Sequence, residues 1–225
     1  VKYALHLSGC VSKMNNIGGL KSVIARLGWP TICRAVRYAM SCLGDQFVFS
    51  ETLDNAIGSV KASNGLYSLD MLGEGARTEN DAGRYFRAYE IAIQKLGKLA
   101  RNDNPNLNTG ISIKLSALHC RFQTRYSQEC IPEITVLLHQ LIRLAQLYNI
   151  PITIDAEEAA RLQLTLAIFG RLLAEADIAG WPGLGIVVQA YDRRAGLVID
   201  WLEKVARINK TRISIRLVKG AYWDT

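Results

Sequence analysis

The stretch ITIDAEEAARLQLTLAIFGRLLAEADIAGWPGLGIVVQA, from Ile152 to Ala190, decides the fold. It opens on a short β-branched run, Ile152–Ala156 (ITIDA), that reads as a buried strand. Glu157–Ala176 follows, rich in Ala and Leu, and reads as a helix. Leu184–Ala190 (LGIVVQA) is apolar and β-branched again, a second strand. A strand, a helix of this length and a strand form a right-handed crossover, so the two strands lie parallel.

The same rhythm extends outward in both directions. Tyr67–Leu72 (YSLDML), Ile111–Ala117 (ISIKLSA) and Ile213–Val218 (ISIRLV) bring the strand count to five. Helical stretches separate them at Asn80–Leu96, Glu133–Leu147 and Ala195–Ile208, the last carrying Leu197, Trp201, Leu202 and Val205. No glycine-rich phosphate loop follows the first strand, and Gly183 and Gly185 precede a strand instead of following one, so the pattern is not that of a dinucleotide fold. Polar residues fall near the C-terminal end of strand after strand: Lys114, Asp155, Gln189, and Arg216 with Lys219. Any one of them could merely cap the next helix. Together they point to the active-site rim of a (β/α)8 barrel. A complete barrel has eight units, and this chain supplies about five. The expectation is a truncated barrel, either a piece of a larger polypeptide or a non-functional remnant.

A short helical segment precedes the barrel. Leu20, Val23, Ile24 and Leu27 stand at helical spacing before Gly28; Ile32, Val36, Met40 and Leu43 do so between Pro30 and Gly44. Two helices in a hairpin are expected, with residues 1–60 as the helical segment and 61–225 as the partial barrel. The net charge is +7, but residues 1–44 hold Lys2, Lys13, Lys21, Arg26, Arg34 and Arg37 and no acid, leaving 21 basic against 20 acidic residues beyond. An acid-free basic helix suits nucleic acid or anionic lipid, a transit-peptide remnant, or simply a solvated face. The chain opens on Val1 rather than Met, so its natural start is expected upstream. At 49% hydrophobic and 21% charged it is neither disordered nor fibrous. No uncharged apolar run reaches the ~20 residues of a membrane span. Cys10, Cys33, Cys42, Cys120 and Cys130 read as reduced thiols, and His6, His119 and His139 show no metal spacing.

Within ISIKLSAL, Lys114 alternates with Ile113 and Leu115 and shares a side with Ser112 and Ser116. A lysine there needs an acidic partner, because burying an unpaired charge is costly, and Asp155 on the next strand is the natural one. Asp155, Glu157 and Glu158 can be a mouth carboxylate, or an N-cap followed by two acids in the first helical turn. In ISIRLVKGAYWD, Arg216, Lys219 and Gly220 suit a phosphate-bearing or reduced-flavin ligand, and Tyr222 and Trp223 offer flat surfaces to a ring. The alternative is a strand-end turn with core aromatics. Gln189 can donate and accept at a heteroaromatic edge.

Several motifs, in order, carry a family resemblance. GDQFVFSETLDNAI (Gly44–Ile57), YSLDMLGEGARTENDA (Tyr67–Ala82), GISIKLSALH (Gly110–His119), IDAEEAARL (Ile154–Leu162), GLGIVVQAY (Gly183–Tyr191) and RLVKGAYWD (Arg216–Asp224) resemble the proline dehydrogenase domain of the bifunctional proline utilisation flavoenzymes, PutA. The resemblance implies a (β/α)8 barrel that binds FAD, oxidises L-proline to pyrroline-5-carboxylate and passes electrons to a membrane quinone. By position, Asp155, Gln189, Arg216, Val218, Lys219, Gly220, Ala221, Tyr222 and Trp223 match cofactor-binding residues of the family. Lys114, Asp155, Leu217 and Tyr222 match its proline pocket, with Lys114, Asp155 and Tyr222 in the catalytic role. The family's cytoplasmic location, with peripheral contact at the inner face of a bacterial membrane, is implied too. Its DNA-binding module and its arginine-bearing last helix have no counterpart in these motifs. Cys120 and Phe122 replace the family's usual Pro and Tyr.

Overall fold

The computed structural model describes residues 29–44, 48–63, 65–72 and 75–220. Two helices come first, α1 (Trp29–Gly44) and α2 (Leu53–Ala62). The chain divides into two compact units after Ala56, inside α2. The helix expected between Pro30 and Gly44 is α1; the one expected before Gly28 lies outside the described residues.

Five strands follow: β1 (Ser68–Asp70), β2 (Gly110–Ile113), β3 (Ile152–Ile154), β4 (Leu184–Gln189) and β5 (Ser214–Val218). They form one sheet in sequential order with every neighbouring pair parallel. The helices between them are α3 (Glu79–Gly97), α4 (Ser127–Tyr148), α5 (Leu162–Ala174) and α6 (Ala195–Ile208). This is a half-barrel wrapped by helices. A flat sheet would hold β1 and β5 about 19 Å apart, four strand spacings. Yet Arg216 on β5 donates to the hydroxyl of Ser68 on β1 at 3.2 Å, which requires strong curvature.

The core lies between sheet and helices. Tyr89, Ala92, Ile93 and Leu96 fall at i, i+3, i+4 and i+7 of α3 and are fully buried. Ile134, Leu138, Leu141, Ile142 and Ala145 do the same on α4, as do Ile168, Phe169 and Leu172 on α5. Each side chain of this size buried contributes about 1.5–3 kcal/mol, so these three stripes hold the layers together. Thr78 begins α3 with a capping box: its hydroxyl accepts the Asp81 N–H, and the Asp81 carboxylate accepts the Thr78 N–H.

Three boundaries differ from the sequence reading by four residues or more, and one of them is the helix expected from Glu133, which begins at Ser127. The strand expected to run to Ala117 ends at Ile113, and Leu115–Ala117 is a 3-10 turn. The last ladder bond is Asp155 N–H to Ile113 O at 2.9 Å; beyond it Lys114 donates its N–H to the Tyr89 hydroxyl at 3.2 Å. The helix expected from Glu157 begins at Leu162, after a 3-10 turn at Ala159–Arg161. Asp155 is therefore not the N-cap of that helix, and Glu157 and Glu158 are not in its first turn.

Candidate functional site

Strand register builds the site. Ile113 pairs with Ile154, Ile154 with Ile186, and Val187 with Arg216. One step along, Lys114, Asp155, Val187 and Arg216 occupy a single layer on the concave side of four strands. Ser112 and Ser214, one layer beneath, are small, as is Gly185, where a Cβ would lie 2.7 Å from the Ser214 carbonyl oxygen. Short side chains below leave the interior open to the long ones above.

The long side chains meet. Lys114 Nζ lies 2.9 Å from Asp155 Oδ2, and Arg216 Nη2 lies 3.1 Å from Asp155 Oδ1. Asp155 thus gives one oxygen to each cation, and its Oδ1 also accepts the Ala156 N–H at 3.1 Å. The other Arg216 nitrogen donates to the Ser112 hydroxyl at 2.9 Å. The pairing of Lys114 with Asp155, expected from sequence, is present. Asp70 was not anticipated: Lys114 Nζ lies 2.7 and 2.8 Å from its two oxygens. The signal was there, since Asp70 ends the first strand on the same face as Ser68, two residues earlier. Two carboxylates balance two cations. Such balance matters where side chains of Lys114 and Asp155 keep only 15% of their exposure, because a lone charge there would be strongly destabilising.

The loop after β3 is held from three sides. The Glu157 side chain, 4% exposed, accepts the Ser116 N–H at 2.9 Å and pairs with Arg161 at 2.6 Å. Gln189, at the end of β4, donates to the Glu157 carbonyl oxygen at 2.9 Å. Arg194 donates to the Ala159 carbonyl oxygen at 3.1 Å. Arg194 also holds the Asp192 carboxyl below the usual carboxylate range through its side-chain hydrogen bond, against the opposing effect of burial.

At the end of β5, Val218 is half-buried and Lys219 exposed. Gly220 has φ +106°, a conformation that favours glycine, and the Tyr191 ring stands where its Cβ would be. Leu217 alternates with Arg216, so it points to the opposite face and is 61% exposed; the structure does not bring it to Lys114 and Asp155. Ala221, Tyr222 and Trp223 lie outside the described residues. Among the described residues, no group of three His, Cys, Asp or Glu is placed to hold a metal ion, and no helix is long and apolar enough to cross a membrane. His119 instead accepts the Arg121 N–H at Nδ1 and meets Glu133 through Nε2, at 3.0 Å each.

The sequence profile of the proline dehydrogenase family matches residues 53–225. The chain belongs to the proline dehydrogenase family. It is 43% identical over 209 residues to the bifunctional protein PutA of Salmonella typhimurium, covering 92% of this chain and 16% of that protein. To PutA of Rhizobium meliloti it is 44% identical, covering 90% of this chain and again 16% of the relative. Proline dehydrogenase 1 of Bacillus subtilis is 29% identical over 80% of this chain and 53% of its own length. Among solved structures, a proline utilization A protein of Bradyrhizobium japonicum superposes with a TM-score of 0.74 at 44% identity, over 90% of this chain and 21% of that one. The chain therefore spans about a sixth of the length of the PutA relatives that it matches.

Proposed function

We propose that this chain carries part of the active site of an FAD-dependent proline dehydrogenase, which oxidises L-proline to pyrroline-5-carboxylate and delivers the electrons to a quinone. The observation that carries the reading is the layer of Lys114, Asp155 and Arg216 at the C-terminal rim of the sheet, where barrel enzymes keep their chemistry. L-Proline is a zwitterion with a carboxylate and a secondary ammonium. A cation and a carboxylate fixed side by side complement both ends.

The residues fit a flavin. Arg216, Lys219 and Gln189 gather hydrogen-bond donors and positive charge at the ends of adjacent strands, and Gly220 offers bare backbone beside them. An electron-rich reduced ring and a pyrophosphate both favour such a donor set. We assign cofactor contacts to Asp155, Gln189, Arg216, Val218, Lys219, Gly220, Ala221, Tyr222 and Trp223, and the proline pocket to Lys114, Asp155 and Tyr222, without Leu217, which faces the other way. When bound, FAD supplies the acceptor for the two electrons that leave the substrate as its C–N bond becomes C=N. The protein's own part is orientation and electrostatics. Lys114 holds the substrate carboxylate, Asp155 holds Lys114 and Arg216 apart and in place, and the ring of Tyr222 packs on the substrate.

The test is the visible spectrum of the full chain with FAD, before and after L-proline under anaerobic conditions. A protein-bound flavin that bleaches with L-proline, and not with D-proline, is the expected result. Flavin that stays free and unchanged would overturn the assignment for this chain.

A further inference from the structure

Asp155 divides its oxygens between two cations, so it gives Lys114 a single contact, through Oδ2. One contact fixes a distance but leaves an ammonium group free to swing about it. Asp70 supplies what is lacking. Both of its oxygens lie within 2.8 Å of Lys114 Nζ, closer than Asp155 at 2.9 Å. Asp70 is carried on β1 and paired with Ser112 of β2, the strand that Lys114 directly follows. On the other side of Lys114, Asp155 follows β3 directly. The backbone of Lys114 is held too, by the buried Tyr89 hydroxyl. The side chain thus stands between two carboxylates from two strands, which sets the direction of a tetrahedral ammonium as one contact cannot.

We propose that Asp70 is a positioning residue of the proline site: it orients the Lys114 ammonium toward the substrate carboxylate without touching the substrate itself. The inference rests on the proline reading above. It distinguishes position from charge. If position is what counts, an acceptor oxygen at the same place suffices, and a carboxylate one methylene further out does not. If only charge counts, the order is reversed.

Three variants of the full chain, loaded with FAD and assayed for proline oxidation with an artificial dye acceptor, separate these cases. Asp70→Ala is expected to raise KM for L-proline about tenfold, the loss of one charge-assisted contact, with kcat changed less than about threefold. Asp70→Asn, which keeps an acceptor oxygen in place, is expected to stay within about threefold of the parent KM. Asp70→Glu, which keeps the charge and displaces it, is expected to behave like Asp70→Ala. A second readout needs no substrate: the Lys114 ammonium signal in a lysine-selective nitrogen-15 spectrum, assigned by its loss in Lys114→Arg. It is expected to be sharp in the parent and in Asp70→Asn, and broadened in Asp70→Ala. Unchanged KM in all three variants, or an Asn variant as impaired as Ala, overturns the proposal while the proline reading stands. A parent chain whose flavin does not respond to proline overturns that reading instead; the ammonium signal then still shows whether Asp70 orients Lys114, and a signal indifferent to Asp70 overturns the proposal as well. If Asp70→Ala does not fold, the comparison of Asn with Glu decides.

Discussion

Removing the Glu157 carboxylate by Glu157→Ala cuts the tie between the β2 and β3 loops, and its cost follows from what is left behind. Two donors lose a charged acceptor: the Ser116 N–H at 2.9 Å and the Arg161 guanidinium at 2.6 Å. The carboxylate is 4% exposed, so water replaces it poorly. Arg161 keeps part of its compensation, because its Nε lies 3.0 Å from Glu158. The loss therefore sits at the low end for a broken buried pair, about 3 kcal/mol. In a domain of this size that lowers the melting midpoint by about 6–12 °C. Glu157→Gln keeps an oxygen for Ser116 and loses only the ion pair, for about 1–2 kcal/mol. The assay is equilibrium urea unfolding followed by circular dichroism, with the slope m checked for constancy, and a thermal scan alongside. An alanine variant within about 2 °C of the parent, or a Gln variant as unstable as Ala, would refute the reasoning.

Tyr89→Phe removes the hydroxyl that accepts the Lys114 N–H, and is expected to destabilise the fold by about 1–2 kcal/mol in the same urea assay; no change would mean that water takes the hydroxyl's place. Asp192 has its native carboxyl held below the ordinary value, chiefly by Arg194, so its contribution to stability is present above about pH 3.9 and is lost as pH falls through the depressed native value. Asp192→Asn is accordingly expected to flatten the fall of the urea midpoint below about pH 4, and an acid limb identical to the parent's would count against the Arg194 contact. Burial pushes the Cys130 thiol up, whereas Cys42 is exposed. Iodoacetamide at mildly alkaline pH is expected to alkylate Cys42 first and Cys130 last among Cys33, Cys42, Cys120 and Cys130, read by peptide mass spectrometry, and early labelling of Cys130 would contradict its burial.

Much of this architecture is written locally in the chain. The expected helix Ala195–Ile208 has the observed bounds, because its apolar residues recur at helical spacing and a glycine-free polar turn follows. All five expected strands are present within a few residues, because a β-branched run between turn residues is a local property. Where the reading overran, a side chain had captured the backbone. Tyr89 ends β2 by taking the Lys114 N–H, and Glu157 holds the next loop out of helix by taking the Ser116 N–H. Both partners lie 25 or more residues away in sequence, where no periodicity reaches.

By itself, then, the amino-acid sequence determined the parallel α/β rhythm, the rim that gathers polar residues, and the pairing of Lys114 with Asp155, which follows from neighbouring strands in register. Tertiary structure alone decided that Arg216 spans the interior to Ser68 and Ser112. The physical reason is curvature. Alternation along a strand fixes which face a side chain takes, but only the closing of the sheet brings the first strand within reach of the fifth.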